Sequence, residues 1–248
     1  MQLKEKERID DLEYKGLKII QNEDGFCFGI DSVLLSDFAK GLKANSKVVD
    51  IGTGTGIISI LLSVKSKAKI IYGVEIQSEV ANMAQRSVEL NDLTDRVKII
   101  NEDIKNIVAN NIIEPNTIDC IVTNPPYMEL ETGATSIEKK KLISRHEIEC
   151  TIDDIAKVSS KLLKTKGELY MIHRTNRMVD VISALRKYGL EPKQMRFVQS
   201  NINKEPHLFM IKCVKNGGKQ LKVSLPLIIY NNDGTYTDEI MKIYNKMS

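Results

Sequence analysis

No run of about 18 apolar residues occurs in this chain, so no helical membrane span is expected. Its first residues, Met1 to Arg8, carry acids and lack an apolar centre, so they do not read as a secretory signal. No Cys-x-x-Cys is present. Cys27, Cys120, Cys150 and Cys213 lie far apart, and His146, His173 and His207 sit at no zinc-like spacing. These absences point to reduced thiols, a cytoplasmic location and no structural metal. Internal repeats, low-complexity tracts and a Pro/Gly/Ser linker are missing too. What remains is one domain, with an N-terminal extension over 1–45, a core over 46–215 and a C-terminal tail over 216–248. A monomer is expected. Charge of one sign is also lacking: 36 Lys and Arg against 33 Asp and Glu leave +3, which permits nucleic acid without requiring it.

What is present is a strand–helix alternation. Val48-Val49-Asp50-Ile51, Ile70 to Glu75, Val97 to Ile100 and Ile118 to Thr123 are apolar, β-branched strands. Helices are expected from Ile57 to Val64, from Ser78 to Leu90, and briefly after Asp103 to about Asn110. Upstream, Leu17 to Ile20 reads as a strand, and Asp31-Ser32 as the cap of a helix from Val33 to about Leu42. Downstream, Thr151 caps a helix to about Leu163, Gly167 to Ile172 is a strand, and Met178 to Tyr188 a helix. Arg196 to Asn201 and Leu208 to Val214 follow without a helix between them, as an antiparallel pair. A last helix runs from Asp238 to about Lys246. This order implies an α/β, Rossmann-like, doubly wound sheet.

The fourth of those central strands stops at Asn124-Pro125-Pro126-Tyr127. Two prolines supply no N–H and hold the chain extended, giving a stiff loop at the carboxyl end of a strand. It offers an amide, exposed carbonyls and an aromatic ring. The exocyclic amino group of a base is a poor nucleophile, because its lone pair is delocalised into the ring. The Asn124 side-chain oxygen and the Pro125 carbonyl can each accept one N–H and turn the lone pair toward an electrophile. Tyr127 can stack on an extruded base, worth roughly 1–3 kcal/mol. A Pro-Pro turn capped by a surface tyrosine is the plain alternative, yet the tetrapeptide arises by chance in about one such chain in a thousand.

After the first central strand comes Gly52-Thr53-Gly54-Thr55-Gly56. Glycines there let a loop pass close beneath a ligand. The dinucleotide fingerprint wants glycine where Ile57 stands, and the Lys-Ser/Thr of a P-loop is missing. A nucleoside ligand without phosphate fits better, and S-adenosylmethionine is the common one. Glu75 ends the second strand and can accept both ribose hydroxyls. Asp103 ends the third and can accept the adenine amino group, while Ile76 and Ile104 can pack on the adenine ring. Each acid alone is an ordinary solvated strand end; three features at successive strand ends, in register with Asn124, form a site.

The array from Val48 to Gly56, with Glu75, Asp103 and Asn124-Pro125-Pro126-Tyr127, resembles class I S-adenosylmethionine-dependent amino-methyltransferases. Phe26-Cys27-Phe28-Gly29-Ile30-Asp31-Ser32-Val33-Leu34-Leu35 resembles the motif that precedes their glycine loop. The tail from Pro226 to Thr237 is similar to that of bacterial valine-tRNA adenine-37 N6-methyltransferases. The resemblance covers nearly the whole chain. It implies a seven-stranded mixed sheet and methylation of an anticodon-loop adenosine. It also implies that Asp50, Gly52 and Gly54 line the methionine side, that Gly56 belongs to the cofactor-binding loop, that Asp31 meets the methionine end, that Glu75 holds ribose and Asp103 adenine. Asn124, Pro125 and Tyr127 would hold the target base.

The same tetrapeptide serves enzymes that methylate cytosine, guanine or protein glutamine, so it gives the reaction and not the substrate. A single-stranded RNA loop presents a base already partly extruded, and no large insertion is available to read DNA. Lys139, Lys140, Lys141 and Arg145 follow the loop and can meet tRNA phosphates, against the plain alternative of a solvated charged segment. A glutamine methyltransferase would carry a separate helical domain before the glycine loop, where only about 45 residues stand here. A non-catalytic cofactor-binding module would not need Asn124, Tyr127 and Asp50 together.

Overall fold

The computed structural model describes residues 3–23, 29–126 and 150–245. Its centre is the expected parallel run: β3 (Lys47–Ile51), β4 (Ile70–Glu75), β5 (Val97–Asn101) and β6 (Ile118–Thr123). β7 (Leu163–Arg174) lies parallel to β6, followed by an antiparallel pair, β8 (Leu190–Asn201) and β9 (Leu208–Lys215). The order is β8-β9-β7-β6-β3-β4-β5, a mixed core of seven strands. The tail adds two short strands to β8, β10 (Lys222–Val223) and β11 (Leu227–Tyr230). The chain winds outward from β3 through β4 to β5 and then returns to β6 on β3's other side. That reversal splays the loops after β3 and β6 apart, and a crevice forms at their carboxyl ends.

Alternate strand residues feed opposite faces, as the period of two requires. Val48, Cys120, Val122, Tyr170 and Ile172 join one core with α1 (Ile30–Phe38), α2 (Ile57–Lys65) and α3 (Ser78–Leu90). Val49, Ile121, Leu169 and Met171 join the other with α4 (Ile152–Leu162) and α5 (Met178–Lys187). Cys120 and Cys213 are buried free thiols, both made harder to ionise by burial.

Three local expectations need correction. α1 starts at Ile30 with Gly29 as its cap, and Asp31 and Ser32 lie inside its first turn. The segment after Asp103 forms successive turns to Asn111 and not a regular helix. A strand not foreseen, β1 (Glu7–Asp11), pairs with β2 (Lys18–Asn22) in a separate hairpin. Its sequence, Glu-Arg-Ile-Asp-Asp, shows no apolar alternation. The hairpin is held from outside. The Arg86 guanidinium on α3 grips the Glu7 carboxylate with two nitrogens, and Asn91 Oδ1 accepts the Lys18 N–H at 2.9 Å.

α4 carries the foreseen cap in full: Thr151 Oγ1 accepts the Asp154 N–H, and the Asp154 carboxylate accepts the Thr151 N–H. α6 (Asp238–Ile243) closes the tail over the α1 side of the sheet, where Ile240 and Ile243 are buried.

Candidate active site

Asp50 is the last residue but one of β3 and is fully inaccessible to solvent. Its Oδ2 accepts hydrogen bonds from Thr53 Oγ1 at 2.6 Å and from Ser59 Oγ at 2.8 Å. Among the described residues its Oδ1 has no hydrogen-bond partner. Burial pushes this carboxyl up to about 6. The two hydroxyls pull the other way, and the nearby Glu75 charge adds to the rise. Thr53 reaches Asp50 because β4 carries Gly73 beside it. A Cβ on Gly73 would stand 2.9 Å from Thr53 Oγ1 and from Ile99 Cδ1.

The loop after β3 turns over left-handed glycines: Gly52 has φ +68°, Gly54 +58° and Gly56 +95°. A Cβ on Gly52 or Gly54 would meet nothing within 4 Å, so both face open space. Gly56 differs, since a Cβ there would touch Ala84 of α3 at 3.5 Å. Two glycines thus shape a cradle, and the third packs a helix.

Glu75 flanks that cradle from the end of β4, only 6% exposed. Its Oε2 accepts the Gly54 N–H at 3.1 Å and its Oε1 the Gln77 N–H at 3.0 Å. Oε1 also accepts from Gln77 Nε2 at 3.4 Å, so Oε2 is the oxygen with a lone pair to spare. Ile76 beside it is 39% exposed, while Ile104 is buried at 5%. Asn101 Nδ2 braces the turn by donating to the Glu75 and Ile76 carbonyls at 2.8 and 3.0 Å. Asp103 is half-buried, and its carboxylate already accepts the Lys105 N–H at 2.9 Å and pairs with Lys105 Nζ at 3.3 Å.

On the other side of β3, Thr123 Oγ1 donates to the Ile51 carbonyl at 3.0 Å, so the ends of β3 and β6 are locked together. Asn124 follows directly. Its Nδ2 donates to Ser32 Oγ, 3.2 Å away in the first turn of α1. Asp31 therefore belongs to the same turn that touches the loop. Pro125 is buried and Pro126 exposed. Tyr127, Lys139, Lys140, Lys141 and Arg145 lie outside the described residues, as do Phe26, Cys27 and Phe28.

The structure thus gathers Asp50, Gly52, Gly54, Glu75 and Asn124 at the adjoining carboxyl ends of β3, β4 and β6, with Asp31 next to the Ser32 that touches Asn124. Ser32, Thr53, Ser59 and Gly73 were not singled out from the sequence. A glycine inside a strand signals close approach, which could have pointed to Gly73; the serines carry no such mark.

This donor set fits a nucleoside cofactor with a cationic end. The orphaned Asp50 oxygen offers an acceptor, the Gly52–Gly54 cradle admits a ligand against backbone, and Glu75 Oε2 keeps a lone pair for a ribose hydroxyl.

Two measurements test the acids. Glu75→Ala should weaken binding of a nucleoside cofactor by about 1–3 kcal/mol, five- to about a hundredfold by calorimetry, and lower thermal stability because the Gly54 and Gln77 N–H groups lose their partner. An unchanged affinity would remove Glu75 from the site. Asp50 has a folded pKa above its unfolded value. Its stability contribution is therefore fully present below about pH 4 and is lost as pH rises through 6. The charged form costs about 3 kcal/mol at neutral pH. Asp50→Asn should accordingly melt higher than the parent at pH 7.5 with no advantage at pH 4. A variant less stable at both pH values would contradict this.

The family model of the methyltransferase small domain matches residues 29–189. The tRNA1(Val) (adenine(37)-N6)-methyltransferase of Porphyromonas gingivalis is 28% identical over 200 residues, covering 79% of this chain and 78% of that protein. A predicted O-methyltransferase of Agrobacterium tumefaciens shares the fold with a TM-score of 0.68 at 18% identity, over 87% of this chain and 96% of the other. TYW2 of M. jannaschii, solved in complex with AdoMet, superposes with a TM-score of 0.55 at 16% identity, over 87% and 89% of the two chains. The sheet is thus the Rossmann-like sheet of these methyltransferases.

Proposed function

The chain belongs to the methyltransferase small domain family, and from that premise we propose that it uses S-adenosylmethionine to methylate N6 of an exposed adenosine in tRNA. Adenosine 37 of valine tRNA is the favoured target, acted on by a cytoplasmic monomer. The observation that carries the reading is the placement of Asn124. It stands beside the glycine cradle, with its amide nitrogen held by Ser32. The P. gingivalis relative, an adenine-37 enzyme by name, supports the choice of base.

S-adenosylmethionine, when bound, supplies an electrophilic methyl carbon on a cationic sulfur that leaves as a neutral thioether. The chain's own residues do the rest. Asp50, Gly52, Gly54 and Asp31 receive the amino-acid end, Glu75 the ribose, and Asp103, Ile76 and Ile104 the adenine. Asn124 Oδ1 and the Pro125 carbonyl each accept one hydrogen of the target amino group. Its lone pair is thereby turned out of the ring toward the methyl carbon. As the N–C bond forms, the acceptors' partners become more acidic, so these hydrogen bonds strengthen toward the transition state. The surplus proton leaves afterwards to water. Tyr127 stacks on the base, and Lys139, Lys140, Lys141 and Arg145 meet RNA phosphates.

Ser32 sets which end of the Asn124 amide faces the base. Ser32→Ala should lower kcat about tenfold with the KM for tRNA unchanged, and Ser32→Thr should restore much of it. Equal kcat in Ser32→Ala would remove that role. Transfer of radiolabelled methyl groups to separate RNA, DNA and protein fractions tests the function as a whole. Label in RNA alone is expected, and label confined to protein would favour a glutamine substrate.

A further inference from the structure

The tail motif around Tyr230 plays no part in the crevice, yet the fold brings it to the same edge. β6 and β7 run parallel with Thr123 opposite Met171, and Arg174 lies three residues further on. Arg174 pairs with Leu208, Leu208 with Val198, and Asn201 lies three residues beyond Val198. Asn201 in turn pairs with Tyr230. The β8–β9 hairpin and the end of β11 therefore rise past the level of Asn124, by roughly 17 Å along the strand direction. Four strand spacings separate β11 from β6, roughly 19 Å across the sheet. A wall stands beside the crevice at the scale of an RNA stem or loop.

Tyr230 sits high on that wall with 38% of its surface exposed. One ring face rests on Tyr236, with centroids 5.3 Å apart and planes within 14°. Tyr236 rests on Tyr244, at 5.9 Å and 18°, and Tyr244 is buried. The ladder is anchored at its base: Arg196 of β8 holds the Glu239 carboxylate of α6 with both terminal nitrogens at 2.7 Å. The turn above is also fixed. Asp233, exposed in the turn, accepts the Thr235 N–H at 2.9 Å and its hydroxyl at 2.6 Å. Asn231 Nδ2 donates to the Tyr236 carbonyl at 3.1 Å. Around the ring stand amides that suit base edges, with Asn203 Nδ2 approaching Asn232 Oδ1 at 3.5 Å. Lys204 is exposed in the hairpin turn and Arg174 at the end of neighbouring β7, with Glu205 and Asp233 as the nearby acids, and Ile202 is 61% exposed.

We propose that Tyr230 is a stacking platform for a nucleobase of the RNA substrate, several nucleotides from the adenosine held at Asn124. A tyrosine already stacked and rigid loses little freedom when a base extends the ladder, and its π-face accepts any base. The wall would thus hold the RNA in place while Asn124 acts. This rests on the RNA reading above.

The test uses the full chain and an anticodon stem-loop RNA of valine tRNA sequence. Tyr230→Ala should weaken binding about tenfold, with calorimetric affinity for S-adenosylmethionine unchanged, while Tyr230→Phe should bind like the parent. Crosslinking of the parent protein to the same RNA carrying 5-bromouridine in the loop gives a readout that needs no variant. A crosslinked peptide containing Tyr230 is expected. If the parent methylates the RNA but crosslinks only elsewhere, or Tyr230→Ala binds as tightly as the parent, the platform is refuted and the RNA reading stands. If the parent neither binds nor methylates RNA, both fall.

Discussion

Asn124→Ala is expected to lower kcat about a hundred- to a thousandfold while leaving RNA affinity and cofactor affinity close to those of the parent. The split follows from what the side chain does. In the proposed mechanism its oxygen accepts an amino hydrogen whose acidity grows only as the new bond forms, so the substitution should remove stabilisation of the transition state and little of the ground state. One of its two amide hydrogens is held by Ser32, which fixes the amide's orientation. Asn124→Asp keeps an acceptor but cannot donate to Ser32 and adds a charge. It should fall between the two. Single-turnover kinetics with saturating RNA reads the effect directly. A variant that lost RNA affinity and kept kcat would make Asn124 a binding residue instead.

Gly54→Val should abolish detectable cofactor binding, a loss above about a hundredfold, in a protein that still folds. Two effects combine. The backbone at φ +58° is left-handed, which costs a β-branched residue of the order of 1–2 kcal/mol. The side chain would also project into the space above the cradle, where nothing of the protein stands within 4 Å. Gly56→Val is the informative contrast. It meets Ala84 of α3, so its effect should fall on thermal stability as well as on the loop. Equal calorimetric affinity in Gly54→Val and the parent would show that the ligand lies elsewhere.

Much of this site was legible before any coordinates because it is built at strand ends. Strands β3 to β6 are β-branched and apolar, and helices follow β3 and β4 within six residues of each strand's end. The glycine loop, Glu75, Asp103 and Asn124 then fall at one edge by topology alone. What was not legible depends on contacts between segments distant in sequence. Ser32 and Asn124 are 92 residues apart and meet only because α1 packs across the crevice. Ser59 looks like one small residue in an apolar helix until Asp50 is seen to need its hydroxyl. β1 escaped notice because its stability comes from α3 through Arg86, and not from an apolar stripe of its own. The turns after Asp103 carry a helix-like apolar spacing, Ile104, Ile107 and Val108, which the fold uses to plug the sheet without completing a helix.

In the proposed reaction a methyl group passes to N6 of an adenosine that Asn124 orients. Purified protein is incubated with valine tRNA and S-adenosylmethionine, and the RNA is then digested and its nucleosides and oligonucleotides mapped by mass spectrometry. The account predicts N6-methyladenosine at position 37 with the parent chain, and its near absence with Asn124→Ala. A different methylated nucleoside, unmodified tRNA beside methylated DNA or protein, or full N6-methyladenosine with the Asn124→Ala variant would contradict it.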